Sequence, residues 1–328
     1  MRYLDAGTTP ALSRIGLGTW QFGSREWGYG QDYAGQEASA IVRRALELGV
    51  TLFDTAELYG FGRSERILGA ALRAAPGQEP AFVATKILPL FPVAPVVEQR
   101  AVASANRLGV RRLDLYQVHQ PNPVVRDGMI MRGMRALQRV GLVGEVGVSN
   151  YSLDRWRAAE RALGSRVLSN QVRYNLVDRS AERELLPFAA STGHVVIAYS
   201  PLAQGLLSGR YQRGSRPRNQ LRAASPLFLP ENLDRAAGLI TALREVADAH
   251  SATPSQIALA WVIHRPGVVA IPGASSVAQL ESNVAAAEID LAGDEYQALG
   301  AAADRFRPVT GPAVLPKLAR ARLRRGLW

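Results

Sequence analysis

The sequence contains no cysteine among its 328 residues. That absence removes disulfide scaffolds, thiolate zinc sites, iron–sulfur clusters and cysteine nucleophiles from consideration. Histidine is scarce, with four residues, and no H-E-x-x-H or other ligand spacing occurs, so no metal site is expected. The opening Met1-Arg2-Tyr3-Leu4-Asp5 lacks an apolar signal core, which gives no reason to expect export and favours a cytoplasmic, soluble protein. One long run without charge, Leu185 to Gly209, has the length of a membrane span. Pro187, Gly193, His194, Pro201 and Gly205 interrupt it, so a transmembrane segment is not expected. Phosphate-binding glycine fingerprints are missing too. Gly16-Leu17-Gly18 supplies half of G-x-G-x-x-G, but Gln21 holds the last place, and no P-loop is found.

What is present is an ordinary globular composition, 47% hydrophobic and 20% charged, with a formal net charge of +11. The charge is unevenly spread. Arg305, Arg307, Lys317, Arg320, Arg322, Arg324 and Arg325 follow one another with no intervening acid and account for seven of the eleven net charges. Basicity is therefore a property of residues 305–328 rather than a stripe across residues 1–304, and no nucleic-acid-binding fold is expected. The segment reads as a solvated tail or last helix, and as the candidate contact for an acidic partner.

Eight short apolar runs punctuate the chain: Ile15–Gly18, Thr51–Asp54, Ala81–Lys86, Leu113–His119, Val143–Ser149, Val167–Gln171, His194–Tyr199 and Val268–Ile271. Segments of helical spacing separate them. Ile41, Ala45 and Leu48 share a face ahead of Gly49, and Ile67, Leu68, Ala71 and Leu72 line another. Leu153, Trp156 and Leu163 follow the cap Ser152, and similar stripes run through Leu239, Leu243 and Val246 and through Ile257, Trp261 and Val262. Strand and helix in alternation, eight times in this length, predict a single (β/α)8 barrel. The stretch Gly209–Glu231, rich in Arg, Pro, Ser and Asn, reads as a long loop after the seventh strand, opening onto the face where barrel enzymes work.

In such a barrel, reacting groups come from the C-terminal ends of strands. Those ends hold Asp54, Lys86 and His119, with Tyr59 in the loop after Asp54. Each alone is an unremarked cap, surface lysine or structural histidine; together, on one rim, they form an acid, a base, an imidazole and a phenol. The set resembles the catalytic tetrad of the aldo-keto reductases. Gly16–Trp20, Phe53–Gly60, Gly147–Tyr151, Tyr199–Leu202 and Ile271–Ala274 fall in that family's order. The Ile-Pro-Gly-Ala ending is most similar to the bacterial branch that also resembles potassium-channel β-subunits.

The resemblance implies an NAD(P)H-dependent reductase of aldehydes or ketones. It makes Tyr59 the proton donor, Lys86 and Asp54 its tuning pair, and His119 the group that orients the carbonyl oxygen. A phenol has a reference pKa of about 10, so a neighbouring ammonium is expected to lower it. NADPH is the implied cofactor, with NADH also possible. Thr19, Trp20 and Asp54 would touch it, Ser149, Asn150 and Gln171 would bind its carboxamide, and Tyr199 would stack on the nicotinamide. Ser200, Pro201, Leu202, Gln204 and Gly205 would follow the pyrophosphate, and Gly273, Ser275, Gln279 and Asn283 the adenosine. Relatives often carry a basic residue where Ser275-Ser276 stand, so Arg210, or one of Arg216, Arg218 and Arg222, is the expected partner for a 2′-phosphate. Trp20, Phe22, Trp27, Tyr29, Tyr59, Phe91, His119 and Phe228 are the expected walls of an apolar substrate pocket. The alternative function is a cofactor-binding redox sensor with little turnover, like the channel β-subunits.

Overall fold

The structure, a computed structural model, describes residues 1–23, 32–75, 80–212, 214–215, 217, 220–310 and 314. A hairpin of two short antiparallel strands, β1 (Tyr3–Leu4) and β2 (Leu12–Ser13), comes first. Eight parallel strands then follow: β3 (Leu17–Gly18), β4 (Leu52–Asp54), β5 (Phe82–Ile87), β6 (Leu113–Val118), β7 (Val143–Ser149), β8 (Ser169–Arg173), β9 (Val195–Tyr199) and β10 (Val268–Ala270). They pair in sequence order. The ring closes where Gly16 N–H donates to Ala270 O (2.8 Å) and Ala270 N–H donates to Arg14 O (2.9 Å), beside parallel bridges Ile15–Ala270 and Gly18–Gly273. Every predicted strand is present to within two residues, and the fold is the expected (β/α)8 barrel.

Both faces of these strands are apolar because both are covered. Alternation decides which side chain goes where. Leu52, Ala84, Leu115, Val195 and Ile197 fill the interior, while Phe53, Val83, Tyr116, Val196 and Ala198 pack outward against the helices. Leu4, Ala6 and Leu12 of the hairpin segment join the interior cluster and seal the end where the strands begin. Continuing the inward alternation past this apolar layer reaches Asp54, Lys86, Gln117, His119 and Tyr199. The same periodicity that fills the core therefore delivers polar side chains to the opposite mouth.

The helices occupy the expected places. Ser152 caps Leu153–Leu163 by accepting Arg155 N–H (3.3 Å), and Gly49 leaves the helix Asp32–Glu47 at φ 77°. The uncharged run Leu185–Gly209 divides into a helix (Leu185–Thr192), strand β9 and a 3-10 segment (Ala203–Ser208). Among the described residues no helix is long and apolar enough to cross a membrane.

Two boundaries differ from the sequence reading. The stretch Gly209–Glu231 is not loop throughout, since it holds a helical turn at Gln220–Ala224, a 3-10 turn at Pro226–Phe228 and the start of the helix Pro230–Ala249. Elements this short have no stability of their own and leave no periodic signal. At the other end, residue 305 does not begin a separate tail. Arg305 closes the last helix, Phe306 is buried, and Val309 exchanges hydrogen bonds with Asn232 (2.7 and 3.0 Å). The later basic residues Lys317, Arg320, Arg322, Arg324 and Arg325 lie outside the described residues.

Candidate active site

Asp54 ends β4 opposite Ala84 of β5, and Lys86 stands two residues beyond Ala84, one position from the end of β5, so both belong to the inward-facing set near the strand ends. Lys86 Nζ donates to Asp54 Oδ1 at 2.7 Å, to Thr55 O at 2.8 Å and to the Tyr59 hydroxyl at 3.2 Å. All three protons of the ammonium are thus directed, a requirement for a cation that is fully buried. His119 follows β6, and its ring meets that of Tyr59 edge-on at 5.8 Å. The four side chains expected to act together are brought together.

The electrostatics follow from that burial. For Lys86, desolvation opposes the charge, but the Asp54 carboxylate and the Tyr59 hydroxyl outweigh it and hold the ammonium above the ordinary lysine range. Tyr59 behaves differently from expectation. Burial raises its pKa, and Lys86 pulls it back only in part, so the phenol stays above its usual value rather than below it. The correction has a simple origin: water withdrawn from a phenolate costs more than one ammonium, itself shared with a carboxylate, returns. His119 is driven down to about 3 by desolvation and then by Lys86, which leaves a neutral imidazole at physiological pH. Its Nδ1 is buried and has no hydrogen-bond partner.

A second set of groups adjoins the first. Gln171 Nε2 donates to Asp54 Oδ2 (2.7 Å), and Ser149 Oγ donates to Gln171 O (2.8 Å). Asn150 Nδ2 reaches Ser149 Oγ (3.0 Å), and its Oδ1 accepts the Tyr199 hydroxyl (3.1 Å). The side-chain amides of Asn150 and Gln171 are the right donors and acceptors for a carboxamide, and the Tyr199 ring offers a flat face. Asn150, Ser200, Ala203 and Gln204 all have positive φ, between 47° and 60°, alongside Gly205 at 96°. Left-handed backbone at four residues that are not glycine is strain concentrated on one rim, as occurs where a loop is shaped around a ligand. Gln204 and Arg210 are exposed there, and Pro201 is buried beneath. Arg222 hydrogen-bonds the Tyr211 hydroxyl (3.2 Å). Arg216 and Arg218 lie outside the described residues.

Further round the ring, Asn283 Nδ2 donates to Gly273 O (3.2 Å), and Gln279 Oε1 accepts both the N–H and the hydroxyl of Ser275 (2.8 and 2.9 Å). Apart from Thr19, Trp20 and Asp54, the residues assigned to a cofactor from the sequence follow one another round the ring from β7 to the helix after β10. Their donor set fits a dinucleotide: amides at the reactive end, strained backbone and arginines in the middle, small polar groups at the far end.

Three assignments change. Thr19 does not face the mouth, because its buried hydroxyl is spent on Asp54 O (2.9 Å) and Ser64 Oγ (2.8 Å), where it fixes the strand end. Phe22 is wholly buried in the core between strands and helices and does not line a pocket. Phe228 is also buried, edge-on to Tyr211 at 4.9 Å. Trp20 and Phe91 are exposed near the mouth, Phe91 at 82%. Trp27 and Tyr29 lie outside the described residues. Among the described residues no group of three or more His, Asp or Glu stands together as a metal site. Sequence reasoning passed over Gln21, which donates to Ala274 O (2.8 Å), and Glu57, although Glu57 stands inside the stretch that carries Tyr59.

The model of the Aldo/keto reductase family matches residues 14–304. An uncharacterized oxidoreductase of Mycobacterium tuberculosis is 54% identical over 325 residues, covering 99% of this chain and 100% of its own. A methylglyoxal reductase of Escherichia coli is 32% identical, with 88% of this chain and 90% of its own covered. Among solved structures, an aldo-keto reductase from Klebsiella pneumoniae in complex with NADPH superposes with TM-score 0.74 at 28% identity, covering 95% and 98% of the two chains.

Proposed function

The chain belongs to the aldo/keto reductase family of oxidoreductases, and from that premise we propose that it reduces aldehydes or ketones to alcohols with NADPH, Tyr59 giving the proton. The observation that carries the reading is the Lys86 ammonium held between Asp54 Oδ1 and the Tyr59 hydroxyl. NADPH, when bound, supplies the hydride that no side chain can. Its carboxamide would be held by Ser149, Asn150 and Gln171, its nicotinamide by Tyr199, its pyrophosphate by the Ser200–Gly205 turn, and its adenosine by Gly273, Ser275, Gln279 and Asn283. Arg210 is the cation assigned to the 2′-phosphate. The relative crystallised with NADPH supports that choice of cofactor.

The chain's own part is proton management. A carbonyl oxygen in the mouth accepts hydrogen bonds from the Tyr59 hydroxyl and from neutral His119. Tyr59 keeps its proton at neutral pH, because burial raises its pKa, and releases it only when negative charge develops on that oxygen. Lys86 then faces the phenolate, and Asp54 keeps Lys86 charged, so the new anion is stabilised by a dipole and charge array already in place. Because His119 does not protonate near neutrality, it orients the oxygen without competing as the acid. The test is a panel of aromatic and aliphatic aldehydes and ketones followed by loss of nicotinamide absorbance, with NADPH and NADH compared. Turnover that favours NADPH supports the reading, and a chain that binds NADPH yet reduces nothing in the panel contradicts it.

A further inference from the structure

One half-buried ion pair stands outside the groups that face the mouth, yet it is built around the two segments that bring Tyr59 and Lys86 together. Glu57 lies two residues before Tyr59. Arg100 lies on the helix Ala94–Leu108, which follows β5. The Glu57 carboxylate accepts Arg100 Nη2 (2.7 Å) and Nε (2.9 Å), and also accepts the backbone N–H of Leu88. Arg100 Nη1 donates to the carbonyl of the same Leu88 (2.9 Å). Both backbone polar groups of a residue two positions beyond Lys86 are thus gripped by one acid and one base. The backbone adds a further tie, as Glu57 N–H donates to Lys86 O (3.3 Å).

Stability alone is a poor explanation for this arrangement. The pair is half-buried, with Glu57 9% and Arg100 26% exposed; burying the acid costs hydration while water still reaching the base screens the attraction, so the net gain in stability is small. What the pair does fix is register and direction. A two-pronged guanidinium on a carboxylate leaves little rotational freedom, and here the pair binds the Tyr59 loop to the strand end of Lys86. The distance that this sets is the one on which proton transfer depends.

We propose that Glu57 and Arg100 are positioning residues for the reaction, clamping the Tyr59 loop against the Lys86 strand end so that hydroxyl and ammonium stay in contact. The proposal rests on the reductase reading above. Neither side chain touches substrate or cofactor, and both act through the placement of Tyr59 and Lys86.

The test compares wild type with Glu57→Gln, Arg100→Met, the double variant and Arg100→Lys, using 4-nitrobenzaldehyde and NADPH as probes. Circular dichroism reports folding and fluorescence quenching reports NADPH affinity. A displacement of the donor on the order of 1 Å costs about a hundredfold in rate, so kcat of Glu57→Gln and Arg100→Met should fall by about tenfold to a hundredfold. NADPH affinity should stay within about twofold, since only the donor has moved. The double variant should be no slower than the slower single, as two halves of one clamp cannot be lost twice. Arg100→Lys, which keeps the charge but not the fork, should recover part of the rate. Should Glu57→Gln fail to fold, the two Arg100 variants carry the test. Folded variants with wild-type kcat, losses that multiply in the double variant, or NADPH affinity falling in step with kcat would each overturn the clamp. No carbonyl reduction by wild type would instead overturn the reductase reading beneath it.

Discussion

At the end of the barrel where the strands begin, Leu4, Ala6 and Leu12 close the interior with carbon. At the other end, Asp54, Lys86, Gln117 and Gln171 bury carboxylate, ammonium and amide groups in the same cylinder. The backbone differs in the same sense: positive φ gathers at Asn150, Ser200, Ala203 and Gln204 beside the polar mouth. An apolar floor tolerates loss of a side chain at the cost of a cavity, because each contact there is small and independent. The polar mouth has no such independence. Each group there is the reason its neighbour can be buried at all, so a change at the floor costs stability alone, whereas a change at the mouth costs stability and chemistry together.

Removing one member of the mouth should break this contrast most severely. Lys86→Met leaves the Asp54 carboxylate buried with an amide as its partner, and should cost about 3–5 kcal/mol as well as the carbonyl-reducing activity. Chemical denaturation at two pH values checks this, with the deficit smaller at acidic pH, where Asp54 takes up a proton. Leu12→Ala at the floor should cost about 2–5 kcal/mol in the same assay, yet leave NADPH affinity and the Tyr59-dependent rate intact in the folded fraction. A floor substitution that changed kinetics without loss of stability would erase the distinction between the two ends.

The pH dependence sharpens it further. His119 titrates near 3 in the folded chain against an ordinary value of 6.5, so between those limits the unfolded chain binds the extra proton. Stability must then rise with pH over that window, and the contribution of neutral His119 is complete above the ordinary value and lost as pH falls towards 3. His119→Gln should flatten this part of the stability curve, measured by urea denaturation from pH 4 to 7. The same depression predicts that kcat shows no limb from His119 between pH 5 and 8.

The sequence disclosed what periodicity can carry. Runs such as Val143–Ser149 and Val195–Tyr199 announce buried strands, and the polar residue that ends each run marks the mouth. Asp54, Lys86 and His119 were readable for that reason. The hairpin was not, since two-residue strands have no period. Nor does residue type reveal direction: Phe22 and Phe228 are as aromatic as Phe91, and only packing turns the first two inward. The partnership of Glu57 with Arg100 joins residues 43 positions apart and exists only once the strands stand side by side. The raised pKa of Tyr59 depends on the balance of burial against a shared ammonium, a matter of magnitude that no motif records.

The central claim is that the Tyr59 hydroxyl delivers the proton beside Lys86, and Tyr59→Phe tests it most directly, with kcat for carbonyl reduction and NADPH affinity measured on the same preparation. Loss of a positioned general acid should lower kcat by about a hundredfold to ten-thousandfold while NADPH affinity holds near the wild-type value. Near-normal turnover by Tyr59→Phe would contradict the account.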